Sequence, residues 1–445
     1  MTNFQLYVTL GVFAAVILLI AFDLIDMAVA ALLGVSVLIA FGILDNGDLM
    51  PIVNTAGGPL ALLFGGMVVA RVISKTGIFE WLGNALLHAT GGSGKRLLLL
   101  IFALLLPLNA FLPNATVVIL VAPIIIRVCQ ALKVDFVGPM IVTAIISNAA
   151  GMLTLVSDPA TFLVGRAIGV SFIDYLQMVS LGGLLAALVV VPFLPRLLPQ
   201  VWNVQVDLPP SAPVAIKYPG FLVLSLLVVL MMVALFIIGE SLPTRIIPPQ
   251  VAIIGASLAL LVVYSVRIEP VSEVIRDVDW KTLVFLGAIF TLVQAFIKTD
   301  LLQGLSIQLY HWFGTEFTLV ALVTLVSIGT IGFVVANIPL VATALVMIQG
   351  YLVAAEAVPE IALAAGFTDW PAATLPVFVA MMFGGTLGGN ATLIGASANI
   401  VAVGICAAQG HRVSFMQFLR IGLPITVVQL SVGALYVWVL ASILD

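Results

Sequence analysis

The sequence predicts an all-α polytopic membrane protein built from two related halves, and three observations lead to this fold class. Of the 445 residues, 63% are hydrophobic and only 8% are charged, whereas a soluble domain carries about 25% charged residues. Apolar runs of about 20 residues, each long enough to cross the hydrocarbon core as a helix, recur along the whole chain. Polar breaks interrupt four apolar regions, at matching places in the two halves.

Ten apolar regions are expected to cross the membrane once each. They lie at 5–22, 27–44, 57–75, 136–170, 172–195, 219–239, 248–266, 280–298, 371–409 and 415–441. The first run has no basic segment before it and no small-residue cleavage site after it. We therefore expect it to be a retained helix rather than a signal peptide.

Two further apolar regions, 97–132 and 317–355, are too long for one helix and too tightly connected for two ordinary crossings. Each is broken in its middle by an asparagine, Asn114 in the first and Asn337 in the second. We predict that each region is a re-entrant hairpin, which enters and leaves the membrane on the same side.

The crossings at 136–170 and 371–409 are also unusually long, and a polar, glycine-bearing stretch interrupts each of them. The stretches are SNAAGMLTLVSDPAT (147–161) and GGTLGGNATLIGASAN (384–399). Irregular backbone at membrane depth is tolerated where it is buried in protein or lines a wet cavity. We therefore predict that each crossing is a broken helix made of two half-helices.

The two halves repeat the same order of features with weak identity, which indicates an internal duplication. FLPNATVVILVAP (111–123) parallels VVANIPLVATALV (334–346), TLVSDPAT (154–161) parallels TLIGASAN (392–399), and SFIDYLQMV (171–179) parallels SFMQFLRIG (414–422). We assign residues 1–199 to the first repeat, 200–218 to a cytoplasmic linker and 219–445 to the second repeat. Each repeat contributes five crossings, and because five is odd the second repeat must be inverted.

The basic residues set the expected orientation. Of the 16 Lys and Arg residues, thirteen fall in loops on one side, and only Arg166, Arg245 and Lys298 fall on the other. Loops rich in Lys and Arg face the cytoplasm. We therefore expect a multi-pass protein of the cell inner membrane with both termini in the periplasm. The net charge of −4 is thinly spread, so nucleic acid is not an expected partner.

The four breaks are the expected substrate site, because inverted-repeat transporters bind their solutes at broken helices near the bilayer midplane. Unwound carbonyls, half-helix N-termini and small polar side chains would together form the cage. The candidate substrate-binding residues are Asn114, Thr116, Asn148, Thr154, Ser157, Asn337, Asn390, Thr392, Ser397 and Asn399. Any one of these taken alone is equally well explained as a contact between helices.

Asp158 is the one acidic residue placed deep in a predicted span. A carboxylate within the membrane indicates a proton carrier, a cation ligand or a counter-ion. Its alternative role is structural, because Asp followed by Pro is a good start for a helix. We assign Asp158 to ion or proton coupling, with H+ as the candidate coupling ion and no other cofactor.

The sequence at these breaks resembles that of the ion transporter superfamily. The resemblance covers nearly the whole chain. The most specific segments are SNAAGMLTLVSDPATFLVG (147–165) and GGNATLIGASANIVAVGI (388–405). The sequence looks most similar to the branch of arsenite permeases, Na+/H+ antiporters of the NhaD type and the melanosomal P protein, with dicarboxylate/sodium symporters as more distant relatives. The resemblance implies a homodimer in which a scaffold holds an elevator-like transport domain.

The sequence departs from the family pattern before both hairpin asparagines, and it has Pro159, Ala160 and Thr161 where the first half of the family pattern reads PPN. Pro113 and Ala336 stand where the family has an aspartate before each hairpin asparagine. A site with one carboxylate and many neutral amides is a poor Na+ cage. It suits a neutral polyhydroxyl solute such as As(OH)3 or Sb(OH)3, because amides and hydroxyls both donate to and accept from O–H groups. An anion would also fit, since half-helix N-termini supply positive potential.

The sequence therefore favours a secondary transporter over an enzyme. The first hypothesis is an arsenite/antimonite efflux permease, active in arsenical resistance and driven by the proton gradient or the membrane potential. The alternatives are a Na+/H+ antiporter and an anion or carboxylate carrier. No metal site is expected, and Cys129 and Cys406 are better explained as packing residues than as ligands of a metalloid.

Overall fold

A computed structural model describes residues 3–21, 24–207, 214–299, 301–363 and 367–444, and these residues are mainly helical. The helices of the first half are α1 (Asn3–Ala21), α2 (Met27–Ala40), α3 (Leu49–Ser74), α4 (Ile78–Thr90), α5 (Gly94–Asn109), α6 (Asn114–Ala131), α7 (Val137–Ala150), α8 (Pro159–Ala167), α9 (Phe172–Tyr175), α10 (Leu181–Leu188), α11 (Leu194–Leu197) and α12 (Pro199–Trp202). Those of the second half are α13 (Pro219–Ile238), α14 (Pro248–Val266), α15 (Val271–Arg276), α16 (Trp280–Ile297), α17 (Leu301–Phe313), α18 (Phe317–Ile331), α19 (Asn337–Ala354), α20 (Leu375–Gly388), α21 (Ser397–Ala408) and α22 (Phe415–Leu444).

The lengths and compositions of these helices are those of a membrane protein. Within the described residues, nine helical segments are long and apolar enough to cross a bilayer. Large apolar side chains such as Leu230, Leu261 and Leu435 are more than half exposed, which water would penalise and lipid would not. The prediction of an all-helical, multi-pass membrane protein is confirmed.

Each predicted hairpin region consists of two helices joined at its asparagine. α5 and α6 meet at a short tip, and α6 begins at Asn114; α18 and α19 meet at a second tip, and α19 begins at Asn337. The residues before the asparagines have nearly the same backbone angles, φ −58° and ψ 140° at Pro113 and φ −56° and ψ 142° at Ala336. The two tips therefore share one backbone shape, although only one of them has a proline to restrict φ.

Each predicted broken helix is broken in the same way. A turn of 3₁₀-helix, Gly151–Leu153 or Gly389–Ala391, follows the first half-helix, and an extended segment then leads to the second. The extended segments begin at Thr154, with φ −141° and ψ 159°, and at Thr392, with φ −132° and ψ 163°. The break removes several backbone groups from helical hydrogen bonding, so they become available to other partners.

Three features differ from the sequence-based expectations. α3 begins at Leu49 rather than at 57 and continues through Pro59, because packed neighbours in a membrane bundle compensate for the hydrogen bond that proline removes. α4 and α17 are helices of 13 residues each, in segments for which no helix was predicted. They are too short to cross the membrane, and α4 buries one side of its surface, so a search for apolar spans overlooks them.

The predicted linker at 200–218 begins with α12 and packs against the start of α5. Gln205 and Ser93 form an isolated β-bridge, and the side-chain amide of Gln205 donates to the carbonyl of Gly91 at 2.8 Å. Residues 208–213 of this linker lie outside the described residues.

Two groups of helices face each other in the fold. In one group α3 packs on α14 and α16, and α2 packs on α16. α3 and α14 approach closely at Gly65, where an added Cβ would collide with the backbone of Ala252. In the other group α18 packs on α20, while α21 packs on α6 and α7. The four breaks all belong to the second group, so it carries the candidate site.

Candidate functional site

The four breaks meet at one central cavity. Its volume is about 810 Å³, counting the space at its open mouth. Both hairpin tips contribute to the wall, through Pro113–Ala115 and Ala336–Pro339, and both broken helices contribute residues near their breaks. Apolar side chains of α1, α2, α3 and α16, such as Leu63 and Phe285, close the opposite side. The cavity therefore lies between the two groups of helices.

Four helix N-termini converge on this cavity. The helices α6, α8, α19 and α21 each begin with a residue that lines it, namely Asn114, Pro159, Asn337 and Ser397. The first N–H groups of a helix have no partner within the helix and carry partial positive charge. The cavity is thus supplied with positive potential from both halves of the chain.

Asp158 is the only carboxylate among the described residues that line the cavity, and it is fully buried. One carboxylate oxygen accepts a hydrogen bond of 2.6 Å from the hydroxyl of Thr386. The other accepts from the backbone N–H of Ala160 at 3.2 Å, which makes Asp158 the N-cap of α8. The carboxylate therefore caps a half-helix and also contacts the other half of the chain.

Hydroxyl side chains at the breaks fix the hairpin tips. The hydroxyl of Thr154 donates to the carbonyl of Ala110, and that of Thr392 donates to the carbonyl of Phe333. These are corresponding positions in the two halves, and in each the first extended residue of a broken helix holds the nearby tip. In the first half Ser157 adds a second bond, of 2.8 Å, to the carbonyl of Leu112.

A buried network of amides extends from the cavity wall into the protein. The side-chain nitrogen of Asn148 donates to Asn390 Oδ1 at 2.8 Å and to Asn399 Oδ1 at 3.0 Å. Asn390 in turn donates to Gln429 on α22 at 2.9 Å. All four side chains are buried, and the network joins α7 of the first half to three elements of the second.

The structure sorts the eleven sequence-predicted site residues into two sets. Five of them line the cavity: Asn114, Asn148, Asp158, Asn337 and Ser397. The other six, Thr116, Thr154, Ser157, Asn390, Thr392 and Asn399, are not among its lining residues. A direct contact with the solute was predicted for all ten substrate-site candidates, and this stays a prediction. In this geometry Thr154, Ser157, Asn390, Thr392 and Asn399 bond to hairpin tips, to other amides or to the backbone. Thr116 is buried in α6 beside Asn114.

Sequence reasoning missed two polar residues. Thr282 on α16 lines the cavity from the opposite side and donates its hydroxyl to Asp279 at 2.6 Å; nothing in the sequence distinguishes it. Gln429 could have been found, because an amide in the middle of a long apolar span requires a partner. Cys129 and Cys406 are buried and do not line the cavity. In the described part of the chain, no group of three or more His, Cys, Asp or Glu residues is placed to hold a metal ion.

Comparison with known proteins identifies the family to which this arrangement belongs. A family model described as a citrate transporter matches residues 17–368. The chain belongs to the citrate transporter family. An uncharacterized transporter of Synechocystis sp. is 42% identical to it over 441 residues, which cover 98% of this chain and 97% of the relative. The P protein of Homo sapiens is 26% identical over 520 residues, covering 98% of this chain and 60% of that protein.

The fold has a solved counterpart. The crystal structure of the Alcanivorax borkumensis YdaH transporter superposes with a TM-score of 0.56 at 14% identity and covers 90% of each chain. At this identity the likeness concerns the fold alone. The protein is therefore a multi-pass membrane transporter of the citrate transporter family. The resemblance to the ion transporter superfamily and to the P protein is confirmed at this level, and these matches do not single out its arsenite permease or antiporter branch.

Proposed function

We propose that this member of the citrate transporter family is a secondary transporter that binds a small carboxylate anion in the central cavity. The convergence of four helix N-termini on that cavity carries the proposal. Each N-terminus is equivalent to about half a positive elementary charge, and a single carboxylate, Asp158, stands against the four. Such a site stabilises an anion more than it stabilises a neutral solute.

The side chains at the cavity are suited to orient an anion of this kind. Asn114 and Asn337 each stand at the first position of a helix whose N–H groups point at the cavity. An amide N–H adds a directional hydrogen bond to the field of the helix. One carboxylate group of the solute could therefore be held at each hairpin tip.

The sequence favours an arsenite permease, and a neutral polyhydroxyl solute remains the second candidate. The observation that favours it is the trio of amides at the wall, Asn114, Asn148 and Asn337. Asn114 and Asn337 can donate to and accept from the O–H groups of As(OH)3 or Sb(OH)3, and the oxygen of Asn148 can accept from them. Such a solute would gain little from the positive helix ends. A Na+/H+ antiporter ranks third, because Pro113 and Ala336 replace the two carboxylates that would bind the cation.

We further propose that the halves are inverted repeats and that transport is of the elevator type. Equal lengths of corresponding helices support the duplication: 13 residues in α4 and α17, 18 in α6 and α19, and 14 in α7 and α20. The position of the cavity between two groups of helices supports the elevator. The group that carries the breaks would slide along a scaffold of α1–α3 and α13–α16, and the family resemblance implies a homodimer held by that scaffold.

Uptake into proteoliposomes tests the solute. Purified protein would be offered radiolabelled citrate, succinate, arsenite, antimonite and Na+ separately, with and without a pH gradient. We expect uptake of one carboxylate that the other carboxylate inhibits, and we expect Asn114→Ala to reduce that uptake strongly. The matched control is Thr426→Val, a buried substitution on α22 at a hydroxyl that has no hydrogen-bond partner within the described structure. Transport of arsenite without transport of either carboxylate would refute the anion proposal in favour of the second candidate.

A further inference from the structure

Asn148 has already used both N–H groups of its side chain. An amide nitrogen offers two hydrogens, and those of Asn148 go to Asn390 Oδ1 and to Asn399 Oδ1. Asn148 also lines the cavity. The part of its side chain that remains for a solute is the carbonyl oxygen, which can only accept a hydrogen bond.

This orientation depends on which end of each amide carries the oxygen, and two branches of backbone contacts decide it. In the first branch, the side-chain nitrogen of Asn399 lies 2.8 Å from the carbonyl oxygens of both Gly389 and Thr392. Carbonyl oxygens only accept, so Asn399 must direct its nitrogen at them. Its own oxygen is then left to face the nitrogen of Asn148.

The second branch reaches the same result from the other side. The side-chain nitrogen of Gln429 lies 3.0 Å from the carbonyl oxygen of Ala186 on α10, so Gln429 must present its oxygen to Asn390. Asn390 donates to that oxygen at 2.9 Å and consequently presents its own oxygen to Asn148. Gln429 does not line the cavity and is fully buried, so it can act there only through Asn390.

We propose that Gln429 is a positioning residue: together with Asn390 and Asn399 it holds the amide of Asn148 with its oxygen toward the cavity, so that this part of the site accepts a hydrogen bond from a hydroxyl of the solute. The inference rests on the proposed anion transport and deepens it. Helix N-termini would bind the carboxylates, while the locked Asn148 would recognise the O–H. A site built to bond a hydroxyl discriminates strongly against an analogue that lacks it, because its buried polar atom is then left unpaired.

Citrate and tricarballylate test this assignment, since the two anions differ in one hydroxyl group. KM for both would be measured in proteoliposomes with the wild type, Gln429→Met, Asn399→Leu and the double variant. Because either branch alone can hold Asn148, we expect each single substitution to raise the KM for citrate by about twofold to threefold. The double variant should raise it by about tenfold or more, which exceeds the product of the single effects.

The KM for tricarballylate should change little in all of these variants, so the preference for citrate should disappear in the double variant. Thr426→Val, three residues from Gln429 on the same helix, should leave both KM values unchanged. If the substitutions only lower the amount of active protein, transport of both anions falls equally and the preference for citrate is kept. Gln429 is then only structural, and the assignment is overturned. If the wild type transports neither anion, the proposed function fails instead.

A measurement without any solute covers that last case. The melting temperature of the purified protein would be compared for Gln429→Met, Asn148→Ala and their combination. A relay from Gln429 to Asn148 predicts a coupled pair, in which Gln429→Met destabilises the wild type clearly more than it destabilises the Asn148→Ala variant. Additive effects would show that the two residues act independently and would overturn the assignment.

Discussion

The carboxylate of Asp158 and the hydroxyl of Thr386 lie 2.6 Å apart, although they belong to different halves of the chain. When the two halves are aligned, Ala396 corresponds to Asp158 and Thr386 corresponds to Asn148, each 238 positions later in the chain. The counterpart of the Asp158–Thr386 pair is therefore Ala396 with Asn148. A methyl group therefore stands where a second carboxylate would be. Asp158 is thus the one carboxylate among the described residues that line the cavity, and this asymmetry makes it the best candidate for coupling.

Replacing Asp158 with Asn separates its two roles. Asn caps a helix about as well as Asp, so the bond to the N–H of Ala160 and the fold should be retained, but Asn cannot carry a proton. We expect the variant to bind its solute and to catalyse exchange, while losing the acceleration that a pH gradient gives to the wild type. Counterflow and gradient-driven uptake in the same vesicles would measure both properties.

Thr386→Val is the companion variant, because it removes the bond to Asp158 and keeps the carboxylate. It should retain the response to a pH gradient. If Asp158→Asn keeps its full response, Asp158 is only a cap, and the transporter is uncoupled from protons or is coupled elsewhere.

Asn114 and Asn337 should be equally necessary, because each begins a helix at the cavity and each belongs to a different tip. Asn→Ala at either position removes a hydrogen bond at a buried site, worth about 1–3 kcal/mol. We expect solute affinity to fall by roughly one to two decades, with expression and melting temperature near those of the wild type. Binding measured by thermal shift and uptake measured in vesicles would check this. Normal uptake by both single variants would place the solute elsewhere.

The places of the four breaks could be predicted from the sequence because polar residues in hydrocarbon are costly and therefore informative. Asn114 and Asn337 interrupt apolar runs, and each lies at a junction of two helices and lines the cavity. The cost of placing a carboxylate in hydrocarbon likewise singled out Asp158 as a candidate functional residue. These predictions needed only local composition and the repeat between the halves.

Local composition could not show which of the predicted residues line the cavity and which do not. Asn148 and Asn399 are equally polar and equally deep, yet only Asn148 lines the cavity. The difference depends on how α7 packs against α21, because this packing decides which of the two side chains faces the cavity. α4 and α17 were missed for another reason, since helices of 13 residues lack the long apolar run by which spans are recognised.

An ion cluster at the C-terminal end of α3 should stabilise that helix in a pH-dependent way. Arg71 binds Glu269 through two bonds of 3.1 and 3.2 Å and Asp277 through bonds of 2.8 and 2.7 Å. The hydrogen bonds from Arg71 hold the pKa of Asp277 below its usual value of 3.8. Since the folded protein has the lower pKa, this stabilisation is present above about pH 4 and is lost as the pH falls through the lowered value.

Arg71→Met should therefore lower the melting temperature by about 1–2 °C at pH 7, and the difference from the wild type should shrink below pH 4. Arg276→Met is the control, because Arg276 is largely exposed and lies 3.8 Å from Asp277. Differential scanning fluorimetry across the pH range would measure both variants. A difference between Arg71→Met and the wild type that is constant at all pH values would show that the ion pairs are not its cause.

The orientation in the membrane is the last prediction, and the structure offers two well-placed probes for it. Every ion pair described joins residues that the predicted topology puts on one side, for example Lys298 with Asp48 at 2.8 Å and Lys281 with Asp26 at 2.5 Å. The helices thus have the expected relative directions, while the excess of Lys and Arg predicts which end faces the cytoplasm.

Cys129 and Cys406 are buried, so an introduced cysteine should be the thiol that a maleimide reaches. Asn203→Cys, at the end of α12, should be labelled by a membrane-impermeant maleimide only after the cells are permeabilised. Arg245→Cys, at the opposite end, should be labelled in intact cells. The reverse pattern would invert the protein and place both termini in the cytoplasm.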